Sequence, residues 1–479
     1  MLGIEQLKQL INGLSAEEQQ RIAQSLAILD PTLLTLFEEL LHNYPVEEQT
    51  AGNQLFLLSS KILQIIHVKH VENDATEIIH TYLLGVKHFF KQKNYPLCAN
   101  LLEEAEALAT SNDLLKEKGD ILEWKKTLVT FGLSDRFSYQ QIVHEQQALC
   151  EKMANYWQYV ALNLKSEVIS STSLSNVELT KRSRLLSNDF LLLDETNALS
   201  TSSKILYHNI ISTIARNIND YEQVYKSHKA MLDIYGQNDF YINAHWYPYL
   251  NVLNNFANTS IRIKEYDEAL VVSDLLKQMY RLYDFVDQNN LNTDLLVLAY
   301  LIDLRVYKHT ADIEKSLFIL PEVLVLIEEE EILKINNANY FNLLYEVAEV
   351  YFWKEKYDKS LLYLDKTMQL KRDHTQDMME HLLRTLVYMA ENRAEEAQKL
   401  AVDIRQTILL HRTQSHYATL FANFVGRFYN VKTQHEKIDI CRDYLLFFET
   451  TAAYKADAYY VDMLRWLKQQ IATLEAQVA

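Results

Sequence analysis

Apolar and polar positions along this chain of 479 residues follow the period of a helix almost from end to end. Residues at i, i+3, i+4 and i+7 recur in window after window, and no strict two-residue alternation persists. The pattern predicts long helices in pairs, joined by short polar turns. Four of the turns share one signature: Lys93-Asn94-Tyr95-Pro96-Leu97-Cys98-Ala99, Asn219-Asp220-Tyr221-Glu222-Gln223-Val224-Tyr225, Lys264-Glu265-Tyr266-Asp267-Glu268-Ala269-Leu270 and Glu355-Lys356-Tyr357-Asp358-Lys359-Ser360-Leu361. Each runs through polar residues to a Tyr, then to a small or β-branched residue three places on. Such self-similarity marks stacked helical hairpins, each burying its apolar faces against its neighbours.

The spacing of the signature sets the size of the unit. Tyr221 and Tyr266 are 45 residues apart, and Tyr266 and Tyr357 are 91, close to twice that. Weaker pivots fall where this period places them, at Tyr139, Val177, Asp312, Arg393 and His435. About nine hairpins of roughly 36–46 residues result, each with two helices of four to five turns. Ahead of them, Ser15-Ala16-Glu17-Glu18 reads as a capping box, and Asp30-Pro31 as an N-cap with Pro at the first helical position. Short helices are predicted over 2–13, 16–29 and 31–43, ended by Tyr44-Pro45. Residues 1–46 are therefore expected to form a helical cap on an array spanning 47–479.

Tyr266-Asp267-Glu268-Ala269-Leu270 and Tyr357-Asp358-Lys359-Ser360-Leu361 resemble the start of the second helix in tetratricopeptide (TPR) repeats. The resemblance implies an all-α, right-handed superhelical solenoid of about nine TPR-like hairpins. The units here are longer than the family's usual length of about 34 residues. The first helices lack the family's Gly, and no Pro closes the second helix. The length and long hairpins are also similar to those of bacterial peptide-sensing TPR regulators. The N-terminal Leu-rich run before Ser15 resembles that of uncharacterised bacterial TPR-like proteins.

Composition agrees with a helical reading. Eight Gly and 5 Pro in the whole chain are too few to punctuate a sheet-rich fold. A hydrophobic content of 48% is incompatible with general disorder. The formal net charge of −17 argues against nucleic-acid and anionic-membrane partners, which require a basic field. Lys181-Arg182-Ser183-Arg184 is a local exception, read as a solvated helix face. Residues 1–43 carry Lys8 and Arg21 as their basic side chains, so no DNA-binding helix-turn-helix is expected there. Cys98, Cys150 and Cys441 are widely separated and form no C-x-x-C, as expected for reduced thiols. No secretory signal is read at the N-terminus. The best apolar run, Leu295 to Ile302, is closed by Asp294 and Asp303 and is far shorter than a membrane span. A cytoplasmic location is the expectation.

Catalytic signatures are absent: no G-x-G-x-x-G, no Walker-type loop, no G-x-S-x-G and no H-E-x-x-H, which His144-Glu145 begins without completing. His67 and His70 share a helix face near His80, His88 and Glu72, yet no further ligand has fixed spacing, so ordinary surface histidines are expected. Glu328-Glu329-Glu330-Glu331 reads as a solvated helix end. The aromatic run from Phe240 to Tyr249 reads mainly as core, with room for a pocket lining. Neither cofactor, metal nor enzymatic activity is expected.

One stripe stands out. Asn251, Asn254, Asn255 and Asn258 occupy i, i+3, i+4 and i+7 on the helix before the Tyr266 turn. Asn is a poor helix former, costing about 0.5 kcal/mol per position. In a TPR-like hairpin the first helix faces the concave groove, where an amide can both donate to and accept from a peptide backbone. The alternative is an inter-helix hydrogen-bond ladder or an ordinary solvent face. Similar polar lines precede other turns: Asn342, Glu346 and Glu349; His381, Arg384 and Tyr388; His416, Thr419 and Asn423; His208, Ser212 and Arg216. Asn251, Asn254, Asn255, Asn258, Asn342 and Arg384 are thus the candidate peptide-binding residues. The expected function is a scaffold holding a peptide or protein segment along the groove. The alternative is a switch through which a signalling peptide controls a second protein.

Overall fold

A computed structural model describes residues 7–8, 11–12, 16–29, 31–42, 55, 57–58, 61–62, 75–172, 175–237, 241–242, 245–282, 291–328, 336–411, 416–450 and 462–478. These residues form twenty α-helices and two 3-10 turns, and no strand occurs among them. The helices are α1 (Ala16–Leu29), α2 (Pro31–Leu41), α3 (Ala75–Lys91), α4 (Tyr95–Ser111), α5 (Leu115–Thr130), α6 (Tyr139–Ser171), α7 (Asn176–Leu186), α8 (Thr201–Asn217) and α9 (Tyr221–Tyr235). They continue as α10 (Trp246–Ile263), α11 (Tyr266–Leu282), α12 (Leu291–His309), α13 (Ile313–Glu328), α14 (Asn337–Trp353) and α15 (Tyr357–Thr367). The last are α16 (His374–Ala390), α17 (Ala394–His411), α18 (His416–Asn430), α19 (Gln434–Thr450) and α20 (Met463–Val478). The fold is all-α and TPR-like, a succession of antiparallel hairpins. None of the described helices is long and apolar enough to cross a membrane.

The Tyr signature marks helix starts. Tyr95, Tyr221, Tyr266 and Tyr357 are the first residues of α4, α9, α11 and α15. The weaker pivots fall at or within one residue of the starts of α6, α7, α13, α17 and α19. The residue two places before each of the four Tyr has a positive φ: Lys93 (62°), Asn219 (61°), Lys264 (72°) and Glu355 (56°). That left-handed step lets the next N–H reach back to a carbonyl inside the preceding helix, as in Asn94 N–H to Phe89 O (3.0 Å), Asp220 to Ala215 (2.8 Å), Glu265 to Ser260 (2.8 Å) and Lys356 to Tyr351 (2.9 Å). This is the Schellman closure of a helix end, and it turns the chain directly into the second helix.

The small residue three places after each Tyr explains why the two helices lie so close. Cys98, Val224, Ala269 and Ser360 are all buried. Cys98 Sγ lies 3.5 Å from Val86 O, and Ser360 Oγ donates to Ala348 O at 2.8 Å. A larger side chain there would hold the helices apart. In α3, a Cβ on Gly85 would stand 3.1 Å from Leu101 Cδ1, another sign of close approach.

The chain divides into two compact units, Met1–Phe256 and Ala257–Ala479. In the first, α1 and α2 match the predicted helices, although Ser15 and Asp30 lie outside the described residues. Their core of Leu26, Phe37 and Leu40 also includes Leu55, Leu58 and Ile62, and so reaches beyond residue 46. Helix α6 is 33 residues long, far more than the four to five turns expected, and α7 packs against it as an extra element. In the second unit one continuous apolar cluster runs from Val297 to Leu474.

Candidate functional site

In the second unit, the first helices of successive hairpins pack on one another: α12 on α14, α14 on α16 and α16 on α18. Polar side chains meet across this stack between α12 and α14. Arg305 Nε donates to Glu346 Oε1 (3.2 Å), and Lys308 Nζ donates to Glu346 Oε2 (3.0 Å) and Glu349 Oε2 (3.1 Å). Trp353 Nε1 donates to Glu349 Oε1 at 3.2 Å, and the Arg465 guanidinium of α20 lies 4.2 Å from the Trp353 ring. Arg305 Nη1 donates to Asn258 Oδ1 at 2.9 Å, which ties α10 to the same ladder.

These groups are inside the protein. The side chains of Glu346 and Glu349 are 4% and 2% exposed, and those of Arg305 and Lys308 are 11% and 9%. The expectation that Glu346 and Glu349 line an open groove is therefore corrected: they face inward, and each is neutralised by cations one hairpin back. Burial opposes ionisation of Glu346, but Lys308 and Arg305 prevail and hold its carboxyl below the usual range. Burial raises Glu349, which shares only Lys308. Lys308 loses solvation yet is pushed up by the two carboxylates. Apolar side chains would join two helices as well or better, so helix packing alone does not account for the ladder. A narrow cleft with room for about one water borders it, lined by Asn258, Ile261, Arg262, Arg305, Lys308, His309 and Glu346.

The candidate residues fall at different depths. Asn251 is exposed on α10, and Asn254, Asn255 and Asn258 are half-buried. Asn258 is engaged with Arg305, which is the inter-helix ladder for that residue. Asn342 is half-buried on α14. Arg384 is enclosed, paired with Glu380 one turn away on α16 and with Asp365 of α15 at 2.8 Å. Burial disfavours its charge, but Glu380, Tyr388 and Asp365 more than offset this and raise its pKa. His381 Nε2 lies 3.6 Å from Glu380 Oε2. Thr419 and Asn423 are exposed on α18, with Asn423 Oδ1 accepting from Arg405 at 3.2 Å, and the His416 side chain lies outside the described residues. In the first unit, His208 faces Glu195 at 3.4 Å, Ser212 is buried and Arg216 is exposed.

Sequence reasoning missed Arg305 and Lys308. Their signal is an i, i+3 cation pair set 41 residues before the i, i+3 carboxylate pair of Glu346 and Glu349. One hairpin of separation and matched spacing bring the two pairs face to face.

Other readings resolve simply. His80 approaches Glu77 at 4.0 Å and His88 contacts Gln92 at 2.9 Å, while His67, His70 and Glu72 lie outside the described residues. Among the described residues no group of three His, Cys, Asp or Glu is placed to hold a metal. Tyr241 and Tyr249 pack on Tyr235, so that much of the aromatic run is core; Phe240, Asn243 and Ala244 lie outside the described residues. Glu328 is exposed at the end of α13, with 329–331 outside the described residues. Lys181, Arg182 and Arg184 are exposed on α7.

No family model matches this chain, and no curated protein is similar to it in sequence. Among solved structures it is similar to the apo form of the quorum sensor NprR from B. thuringiensis, at 13% identity and a TM-score of 0.40, covering 85% of this chain and 95% of that one.

Proposed function

We propose that this protein is a non-enzymatic binding module that holds a peptide or protein segment along the layer of first helices. The observation that carries the reading is the unbroken succession of α12, α14, α16 and α18, which sets first helices side by side, with Asn342 half-buried and Thr419 and Asn423 exposed on them. Asn342 makes no side-chain hydrogen bond among the described residues and offers an amide to a ligand backbone; on α10, Asn251 is exposed and Asn254 and Asn255 are half-buried. The net charge of −17 favours a protein or peptide over nucleic acid or an anionic membrane. The three cysteines are unpaired, in keeping with the reducing conditions of a cytoplasm.

A second reading rests on the ladder. A ligand carboxylate that widened the narrow cleft beside Arg305 would compete with Glu346 for the same cations and loosen the tie between α12 and α14. Binding would then be coupled to hairpin geometry, as a regulatory switch requires.

Selection of a random peptide library against the full-length chain, followed by calorimetric titration, tests both. Asn342→Ala and Asn251→Ala should each weaken the selected peptide by about 1–2 kcal/mol, the cost of leaving a desolvated peptide group unpaired. The melting temperature should hold or rise slightly, because Ala is the better helix former. A lowered melting temperature with unchanged affinity assigns these amides to a structural ladder and defeats the clamp. If Arg305→Gln changes peptide affinity together with the hydrogen exchange of α14, the switch gains over the passive scaffold.

A further inference from the structure

The face of α6 turned to solvent is apolar where a surface helix should be polar. On its inward face Asn155, Tyr159, Leu162, Ser166 and Ile169 are buried, as an amphipathic helix requires. On the opposite face Cys150, Ala154, Trp157, Ala161, Leu164 and Val168 are all exposed, with Trp157 at 62%, Leu164 at 58% and Val168 at 62%. Single exposed apolar residues are ordinary. Six in succession at spacings of 4, 3, 4, 3 and 4 are not. At about 100° per residue they occupy a stripe roughly 80° wide, the narrow seam of a coiled coil.

We propose that this seam pairs with the same seam of a second copy of the chain, antiparallel across a two-fold axis near Tyr159 and Val160. Two features of the sequence select that partner and direction. The first is size matching. Antiparallel pairing sets Trp157 against Ala161 of the second copy, Ala154 against Leu164 and Cys150 against Val168, so each large residue meets a smaller one. The two-fold axis repeats every layer. Parallel pairing would set Trp157 on Trp157 and Ala154 on Ala154, a clash beside a void.

The second feature is charge. The positions flanking the seam on one side are Glu151, Gln158 and Lys165, all exposed. In the antiparallel register Glu151 faces Lys165 of the second copy, twice per dimer, and Gln158 faces Gln158. On the other side Val160 meets Val160 near the axis. A parallel register brings no opposite charges together. Among the described residues neither Glu151 nor Lys165 forms an ion pair, and both are exposed.

A seam of about two and a half heptads lies at the small end of stable interfaces, so the dimer should be concentration-dependent, in the micromolar range. Sedimentation velocity on the full-length chain should show monomers converting to dimers as concentration rises. Trp157→Glu with Leu164→Glu should abolish the dimer while leaving circular dichroism and melting of the monomer unchanged, because both side chains are exposed in the single chain. Glu151→Lys alone should weaken dimerisation roughly tenfold by placing like charges opposite each other twice, and adding Lys165→Glu should restore it. Under mild oxidation, Val168→Cys should crosslink to Cys150 of the second copy. A wild-type chain that remains monomeric throughout, including one that uses Trp157 for vesicles or a different protein, overturns the proposal. So does a dimer that survives the double Glu variant. A wild-type crosslink between two Cys150 residues would show parallel pairing and overturn the antiparallel register.

Discussion

Lys264 carries a backbone angle that suits glycine better than lysine. Its φ is 72°, and Lys93, Asp113, Asn219, Ala311, Glu355 and Asn392 share the left-handed region, with Gly132 the only glycine among the described residues to do so. A side chain costs about 1–2 kcal/mol there, while glycine loses roughly 0.5–1 kcal/mol more conformational entropy on folding. The Lys264 side chain is exposed, so Lys264→Gly should leave stability unchanged or raise it by up to about 1 kcal/mol; a loss beyond that range in urea unfolding would mean the lysine has an unrecognised role. This strain also explains one limit of the sequence. The Tyr pivots and the small residues three places on were legible because packing demands them. The left-handed step two places earlier was not, because the residue type that announces it is missing. A second residue-scale consequence concerns His228, buried on α9, whose pKa is pushed down to about 4 by burial and then by Arg216. Its folded pKa lies below its unfolded one, so its contribution to stability is present above about pH 6.5 and lost as the pH falls toward 4. Thermal melts should fall over that window, and His228→Gln should lessen the fall by up to about 3 kcal/mol; an unchanged pH slope would assign the loss to other groups.

At the scale of helices, the α12–α14 ladder behaves differently from surface ion pairs because its members have left water. Lys308→Met removes the cation that Glu349 relies on and leaves a buried carboxylate uncompensated, a loss of about 3–5 kcal/mol. Adding Glu349→Leu should recover most of it, since an apolar replacement of the pair restores balance. Urea unfolding of the single and double variants provides the measurement, and additive losses would show that the pair is not coupled. The sequence exposed half of this arrangement. Glu346 and Glu349 stood out as a polar line on an otherwise apolar helix, but read alone they pointed to an open groove. The cations that turn them inward sit one hairpin earlier, next to the apolar run that ends at Ile302, and only the repeat distance connects the two. The outer face of α6 was hidden for a related reason. A 33-residue helix in an array of shorter ones breaks the expected period, and its apolar stripe resembles core until the opposite face is seen to be the buried one.

For the molecule as a whole, the consequence of building from hairpins is that damage should depend on where the chain is cut. In the second unit the apolar core is continuous from α12 to α20, yet each helix contacts chiefly the helices beside it. Ending the chain after Glu391 removes complete elements, α17 to α20, and leaves the α14–α15 hairpin intact. Ending it after Leu362 instead splits α15. The cut discards Tyr363, which stacks on Tyr351 at 5.6 Å, and Leu364, which is fully buried. It takes both from the buried cluster that holds Phe341, Tyr345 and Phe352 of α14. The split should therefore cost far more helix than the residues it removes, whereas the cut after Glu391 should cost only its share, because stability in such arrays is close to a sum over units and their nearest-neighbour interfaces. Circular dichroism normalised per residue, with urea melts of both truncated chains, separates the outcomes. Equal collapse of the two would mean that the second unit folds as one indivisible body rather than as a stack of hairpins.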